Sequence, residues 1–313
     1  MKIIVKLFGL LCIAGGIALF SSPMIATENI KQETKQYITQ FKQKEKKNKV
    51  SKEDDSRYQE IEEYNEKIYE NHQKNFRDVS SYQSSPISLK GFKDGKFGYI
   101  KIPKMKVELP LYVGASNEHL AKGAAILGQT SIPVGEIDTN SVIAGHRGYQ
   151  GAPFFREIEK LNKGDTVTIV NPWDTLEYEV TGINVISPFD TDAVMIQDGR
   201  DMITLVTCHP YRSGGKYRYI VYCTRKGTKP SKEGNESYQL LKTSTQDINN
   251  EDNVRRGGAL LLAFLFLSTL AQSIKSFWQK RRRKKRSRAW TLRRSRRSHM
   301  MILQSFSSRS VRS

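Results

Sequence analysis

Two apolar runs end in residues able to do chemistry. Thr204-Leu205-Val206-Thr207-Cys208 closes on a thiol, and Ser141-Val142-Ile143-Ala144-Gly145-His146 closes on an imidazole. Each is followed by a turn, His209-Pro210-Tyr211-Arg212-Ser213-Gly214-Gly215 in the first case and Arg147-Gly148 in the second. A thiolate is a strong nucleophile, and an imidazole within reach can take a proton and return it. The end of a strand holds such groups rigidly where a substrate can enter. An isolated cysteine is more often a small core residue, and a lone histidine is more often structural. Two strands of the same design, each delivering one half of a thiol–imidazole pair, argue for chemistry. His209 is the rival base, but neighbours on a strand point to opposite faces, which turns it away from the sulfur.

Arg218 opens the next apolar run. Antiparallel pairing of 202–208 with 218–223 brings it beside Cys208, where a guanidinium can donate to the oxyanion of a tetrahedral intermediate. Arg212, in the turn, and Arg225, past the strand, are the alternatives. Residues 218, 220 and 222 share one face and Cys223 takes the other, so parity excludes a Cys208–Cys223 disulfide. Thr207, next to the sulfur, is either a substrate or oxyanion contact or an ordinary strand residue.

The elements that must position these groups are short strands. The runs are 97–102, 107–112, 124–128, 141–146, 166–170, 176–186, 202–208 and 218–223, with short helices near 117–122 and 153–161. Many short strands with few helices predict a mainly β fold, a closed or nearly closed barrel, over residues 96–227. Ahead of it, residues 28–95 read as a helical N-terminal segment. Tyr58, Ile61, Tyr64, Asn65 and Ile68 mark one face of a helix over about 54–73, and a Ser-rich loop follows at 77–95. Residues 228–256 read as a polar linker.

The 313 residues carry a formal charge of +19, which by itself suggests a nucleic-acid partner. The excess is local. Residues 275–313 hold 15 Lys and Arg and no acid, leaving 36 bases against 32 acids elsewhere. That block follows an uncharged apolar stretch at 257–274, about the length that crosses a bilayer. A dense basic flank marks the cytoplasmic side and suits anionic headgroups, so nucleic acid is not the expected partner and the barrel is expected outside the cell. The N-terminal segment 1–27, apolar behind Lys2 and Lys6, is a signal anchor or a cleaved signal peptide. Cys12 lies within it, so the exported part holds only Cys208 and Cys223, which is no disulfide framework. The five histidines lack ligand spacing, and no metal or other cofactor is expected.

The string Thr204-Leu205-Val206-Thr207-Cys208 resembles the TLxTC signature of sortases. Pro210-Tyr211, the Gly145-His146-Arg147-Gly148 turn and the stretch from Phe154 to Asp165 resemble the class C, pilus-polymerising branch, over roughly residues 58–226. The resemblance implies an eight-stranded sortase-type barrel between two terminal membrane helices. It maps the family's catalytic Cys, His and Arg onto Cys208, His146 and Arg218. It implies an LPXTG-like sorting signal cleaved between Thr and Gly, a thioacyl intermediate, and transfer to a lysine of a pilin subunit. Two readings compete: a housekeeping-type enzyme that attaches proteins to peptidoglycan, and a non-enzymatic assembly scaffold. One departure stands out. Class C members carry a lid with an Asp-Pro-aromatic hook, whereas the stretch from Tyr64 to Pro86 contains Asp78 without a following proline. The lid is absent, or other residues such as Phe76 or Tyr82 hook it.

Overall fold

The computed structural model describes residues 2–47, 51–52, 55–76, 87, 89–92, 94–149, 152–211, 214–227 and 244–307. Asp78, Tyr82 and Pro86 of the expected lid and Arg212 of the turn lie outside the described residues. The chain forms two units. One comprises residues 1–21 and 253–313, the other residues 22–252.

Eight strands close into a barrel: β1 (Lys96–Ile102), β2 (Val107–Val113), β3 (Ala124–Ile126), β4 (Thr139–Ala144), β5 (Thr166–Val170), β6 (Thr175–Ile186), β7 (Asp201–His209) and β8 (Tyr217–Arg225). Around the barrel the order is β1-β2-β3-β4-β7-β8-β6-β5. Closure leaves no exposed edge strand. The pairs β2–β3 and β4–β7 are parallel and the others antiparallel.

The strands' two-residue period sorts side chains into two layers. Ile143 of β4, Ile203 and Leu205 of β7, and Tyr219, Val221 and Cys223 of β8 join apolar residues of the other strands in the barrel interior. Their neighbours Val142, Met202, Val206, Ile220 and Tyr222 face outward into a second cluster. Leu120 of α3 (Asn117–Lys122) and Val194 of the turn before β7 cover that cluster. Fully burying one such aliphatic side chain is worth about 1.5–3 kcal/mol, so a one-residue register slip would reverse both layers at large cost.

Helix α2 (Ser56–Glu70) buries Tyr58, Ile61, Asn65 and Ile68, the face expected from their spacing. Asp55 caps it by accepting from Arg57 N at 3.0 Å. Asn65 fastens it to the barrel like a strand partner. Its amide donates to Ile132 O at 3.0 Å and accepts from Ile132 N at 2.8 Å.

Three expected elements differ. No α-helix forms over 153–161. Only Ile158–Lys160 makes a 3-10 turn, because Phe154 sits at φ 40, incompatible with a continuing helix. Strand β4 ends at Ala144 rather than His146. Helix α4 (Ser244–Ser307) begins inside the expected linker. Once the apolar segment has nucleated a helix, each added residue contributes one hydrogen bond, and the polar residues before it are carried along. Within α4, Arg256–Arg283 is the one stretch among the described residues long and apolar enough to cross a membrane. The N-terminal apolar segment is part of a single helix, α1 (Lys2–Lys47). In the barrel unit, Ile38 of α1 packs against Tyr99 and Val170, and Tyr37 Oη donates to Gly98 O at 3.0 Å.

Candidate active site

Strand parity places Cys208 on the outward layer of β7, two residues beyond Val206. Arg218 lies directly across from it, as its register partner on β8. The sulfur's residue is half-buried, whereas Arg218 is 8% exposed. The Arg218 guanidinium does not float. Its Nη1 donates to Gly215 O at 2.6 Å and to Tyr217 O at 2.9 Å. That anchors the fork beside the β7 end that carries the sulfur.

His146 arrives from the other side. The parallel ladder of β4 and β7 ends with Ala144 beside Val206. Gly145 N then donates to Val206 O at 3.1 Å, and Thr207 Oγ1 donates to Gly145 O at 2.7 Å. These bonds hold the backbone just before His146 against the end of β7 that carries Cys208. The buried Thr207 hydroxyl is a strand-to-strand tie here. Gly145 itself has no room for a side chain, since an added Cβ would come within 2.8 Å of the Phe155 ring.

The half-buried His146 ring stacks on Tyr149, with centroids 4.7 Å apart and planes 14° apart. It meets Phe154 edge-on at 6.3 Å. These rings and the neighbouring backbone exclude water, and burial lowers the imidazole pKa from its ordinary value. Neutral imidazole therefore dominates at pH 7.

His209 points inward, as parity predicts. It lies against Tyr219, with ring centroids 5.5 Å apart, and its Nδ1 contacts Arg147 at 2.9 Å. Cys223 is buried in the interior, and burial pushes its thiol pKa well up. Cys208 and Cys223 are both free thiols. Sequence reasoning missed the Arg147–His209 contact and its third member, Glu159. The available signal was a polar residue beside each candidate, Arg147 and His209, at positions whose parity directs it into an apolar interior. Among the described residues no group of His, Cys, Asp and Glu could hold a metal ion.

A closed barrel of this strand order, with a thiol in the last residues of β7 and an imidazole just past the end of its parallel neighbour β4, is the architecture of a cysteine transpeptidase. Residues 100–226 match the sortase domain model. Sortase A of Bacillus anthracis is 32% identical over 168 residues, covering 52% of this chain and 78% of that protein. Sortase D of Bacillus subtilis is 30% identical over 132 residues, covering 41% and 63%. Among solved structures, sortase C1 of group B Streptococcus Pilus Island 1 superposes with a TM-score of 0.52 at 27% identity, covering 60% of this chain and 96% of its own. Streptococcus agalactiae sortase C1 in complex with MTSET gives 0.53 at 28% identity, with the same coverage. The chain belongs to the sortase family, and its structural neighbours are pilus-related class C sortases.

Proposed function

We propose that this sortase polymerises pilin subunits, with Cys208 as nucleophile, His146 as proton carrier and Arg218 as oxyanion donor. The carrying observation is the Cys208–Arg218 register pair, which sets a fixed guanidinium beside an accessible sulfur on the outward layer. The neighbours' description as pilus sortases supports the substrate class.

The Cys208 thiolate attacks the carbonyl between Thr and Gly of an LPXTG-like signal. Arg218 donates to the oxygen as it gains charge. Such a donor, preorganised in a partly desolvated site, typically contributes about 10²–10³ in rate. His146 as imidazolium protonates the departing glycine amine and leaves a thioacyl enzyme. A pilin lysine amine then attacks the thioester. His146, now neutral, takes its proton as the isopeptide bond forms and the thiolate departs. A free thiol titrates near ~8.5 and imidazole near ~6.5. With burial lowering His146, the thiolate–imidazolium pair is a minority form that the reaction draws on. Thr207 supports this chemistry by tying β7 to Gly145.

The stretch Arg256–Arg283 anchors the enzyme, with its basic flank in the cytoplasm and the barrel outside. The N-terminal segment serves as signal anchor or signal peptide. In cells, Cys208→Ala abolishes the high-mass ladder of the pilin polymer; an intact ladder refutes the assignment. Mass spectrometry of the product identifies the accepting amine. A pilin lysine supports polymerisation, and a peptidoglycan amine supports the housekeeping alternative.

A further inference from the structure

Beneath the outward-facing Cys208, the barrel end holds a buried ion cluster that the chemistry above does not use. The side chains of Arg147, Glu159 and His209 are 3%, 8% and 3% exposed. Arg147 Nη2 donates to Glu159 Oε1. Its Nη1 donates to His209 Nδ1 at 2.9 Å and to the Cys208 carbonyl oxygen at 3.3 Å. A guanidinium has no acceptor, so Arg147 is the donor in that contact. Glu159 Oε1 lies 3.4 Å from the same Nδ1. One guanidinium thus joins the Glu159 carboxylate, the His209 ring and the Cys208 carbonyl. Tyr219 packs beneath it, its ring centroid 5.6 Å from the guanidinium carbon.

The chain positions give the cluster its meaning. Arg147 follows His146, His209 follows Cys208, and Glu159 belongs to the 3-10 turn of the loop leaving β4. The paired ladder between β4 and β7 ends at Ala144 and Val206, short of both candidates. Beyond that point, hydrogen bonds from Gly145 and Thr207 and this cluster tie the two segments together. An ion cluster is a poor source of stability once desolvation is counted. Charge-assisted, forked hydrogen bonds do fix geometry.

We propose that Arg147, Glu159 and His209 form a positioning network that sets the separation of the Cys208 sulfur and the His146 ring. It acts through the backbone on either side of them and does not touch substrate. The proposal rests on the assignment of Cys208 and His146 made above. Glu159 is the keystone: it is the anion that fixes the direction of the Arg147 fork. Its loss lets the fork turn, and His146 and Cys208 part. Because misplacement of about 1 Å can cost about 10² in rate, the effect falls on kcat. The outward layer that receives the sorting signal is unchanged, so KM holds.

The test uses the full chain in detergent with a fluorogenic Leu-Pro-Glu-Thr-Gly peptide. Alkylation of Cys208 by iodoacetamide, followed by mass from about pH 5 to about pH 9 around the ordinary thiol and imidazole values, is a second readout that needs no sorting signal. Glu159→Gln lowers kcat, normalised to folded protein, by about 30- to 100-fold with KM within about threefold. It also alters the alkylation profile in the range where the His146 ring titrates, because the ring no longer stands beside the sulfur. Glu159→Asp, which keeps the charge, recovers part of the rate. A Glu159→Gln enzyme with wild-type kcat and an unshifted profile overturns the network. If that variant does not fold, Arg147→Lys, which keeps the charge but not the fork, is judged by the same two readouts. Turnover surviving in Cys208→Ala would instead overturn the nucleophile assignment. An inactive Cys208→Ala beside a wild-type-like Glu159→Gln overturns only the network.

Discussion

Cys208 and Arg218 are register partners across β7 and β8, and Gly215 packs against both side chains. A Cβ on Gly215 would lie 3.2 Å from Cys208 Sγ and 3.1 Å from Arg218 Nη1. Its φ of 82 adds backbone strain of about 1–2 kcal/mol for any side chain. Gly214, one residue earlier at φ 71, has nothing within 4 Å of its Cβ position. Gly214→Ala therefore carries the strain alone, and Gly215→Ala carries strain and crowding. Gly215→Ala is expected to lower kcat/KM by about tenfold or more beyond Gly214→Ala, with slower alkylation of Cys208. Equal losses in the two variants would show that the crowding is immaterial.

Arg218 works as a fork, because one nitrogen is committed to the Gly215 and Tyr217 carbonyls. Lysine keeps the charge but cannot satisfy those carbonyls and an oxyanion in one fixed geometry. Arg218→Lys is expected to lower kcat by about 10²–10³ with little change in KM, measured by steady-state turnover of a sorting-signal peptide. Near-normal turnover would reduce the role to simple charge.

Burial lowers the His146 pKa, with consequences for rate and for stability. The acid limb of kcat/KM is expected to have its midpoint below the ordinary imidazole value of about 6.5, read from a pH–rate profile. A midpoint above 7 would contradict the desolvated ring. For stability, the folded state resists protonation that the unfolded chain accepts below about 6.5. In that range the unfolded state binds more protons, so stability rises with pH. His146→Gln removes this dependence, measured as the slope of unfolding free energy against pH.

At the start of β7, Asp201 is 2% exposed and accepts from Tyr178 Oη at 2.9 Å. Among the described residues its Oδ2 has no hydrogen-bond partner. Burial pushes its pKa up from 3.8 to about 6. Between those values the folded state holds a proton that the unfolded state has lost, so stability falls as pH rises from about 4 to about 6 and stays level above. Asp201→Asn is expected to remove that decline and to be more stable than the parent at pH 7 by about 1–3 kcal/mol, checked by denaturant unfolding at pH 4 and pH 7. A stability difference between Asp201→Asn and the parent that is the same at pH 4 and pH 7 would show that Asp201 is ionised throughout.

Much of the architecture was legible because local rules are strong in strands. Alternation located all eight strands to within a few residues. The same two-residue period turned His209 and Cys223 inward and set Arg218 across from Cys208. The α2 face from Tyr58 to Ile68 followed from helical spacing. The failures lie where a backbone conformation or a neighbouring segment overrides the pattern of the residues themselves. A left-handed φ at Phe154 removed the helix expected over 153–161. Propagation from the apolar segment made residues from Ser244 helical, although their own pattern has no period.

The sequence by itself determined that a thiol, an imidazole and a guanidinium are delivered at strand ends, because period and parity are properties of consecutive residues. Closure of the barrel decided which strands run side by side, and so which of these groups meet. The parallel pairing of β4 with β7 joins segments about 60 residues apart, and no local pattern encodes that contact. The Arg147–Glu159–His209 cluster shows the same limit. Its members come from three separate segments, and only the folded chain brings them within hydrogen-bonding distance in a place that excludes water.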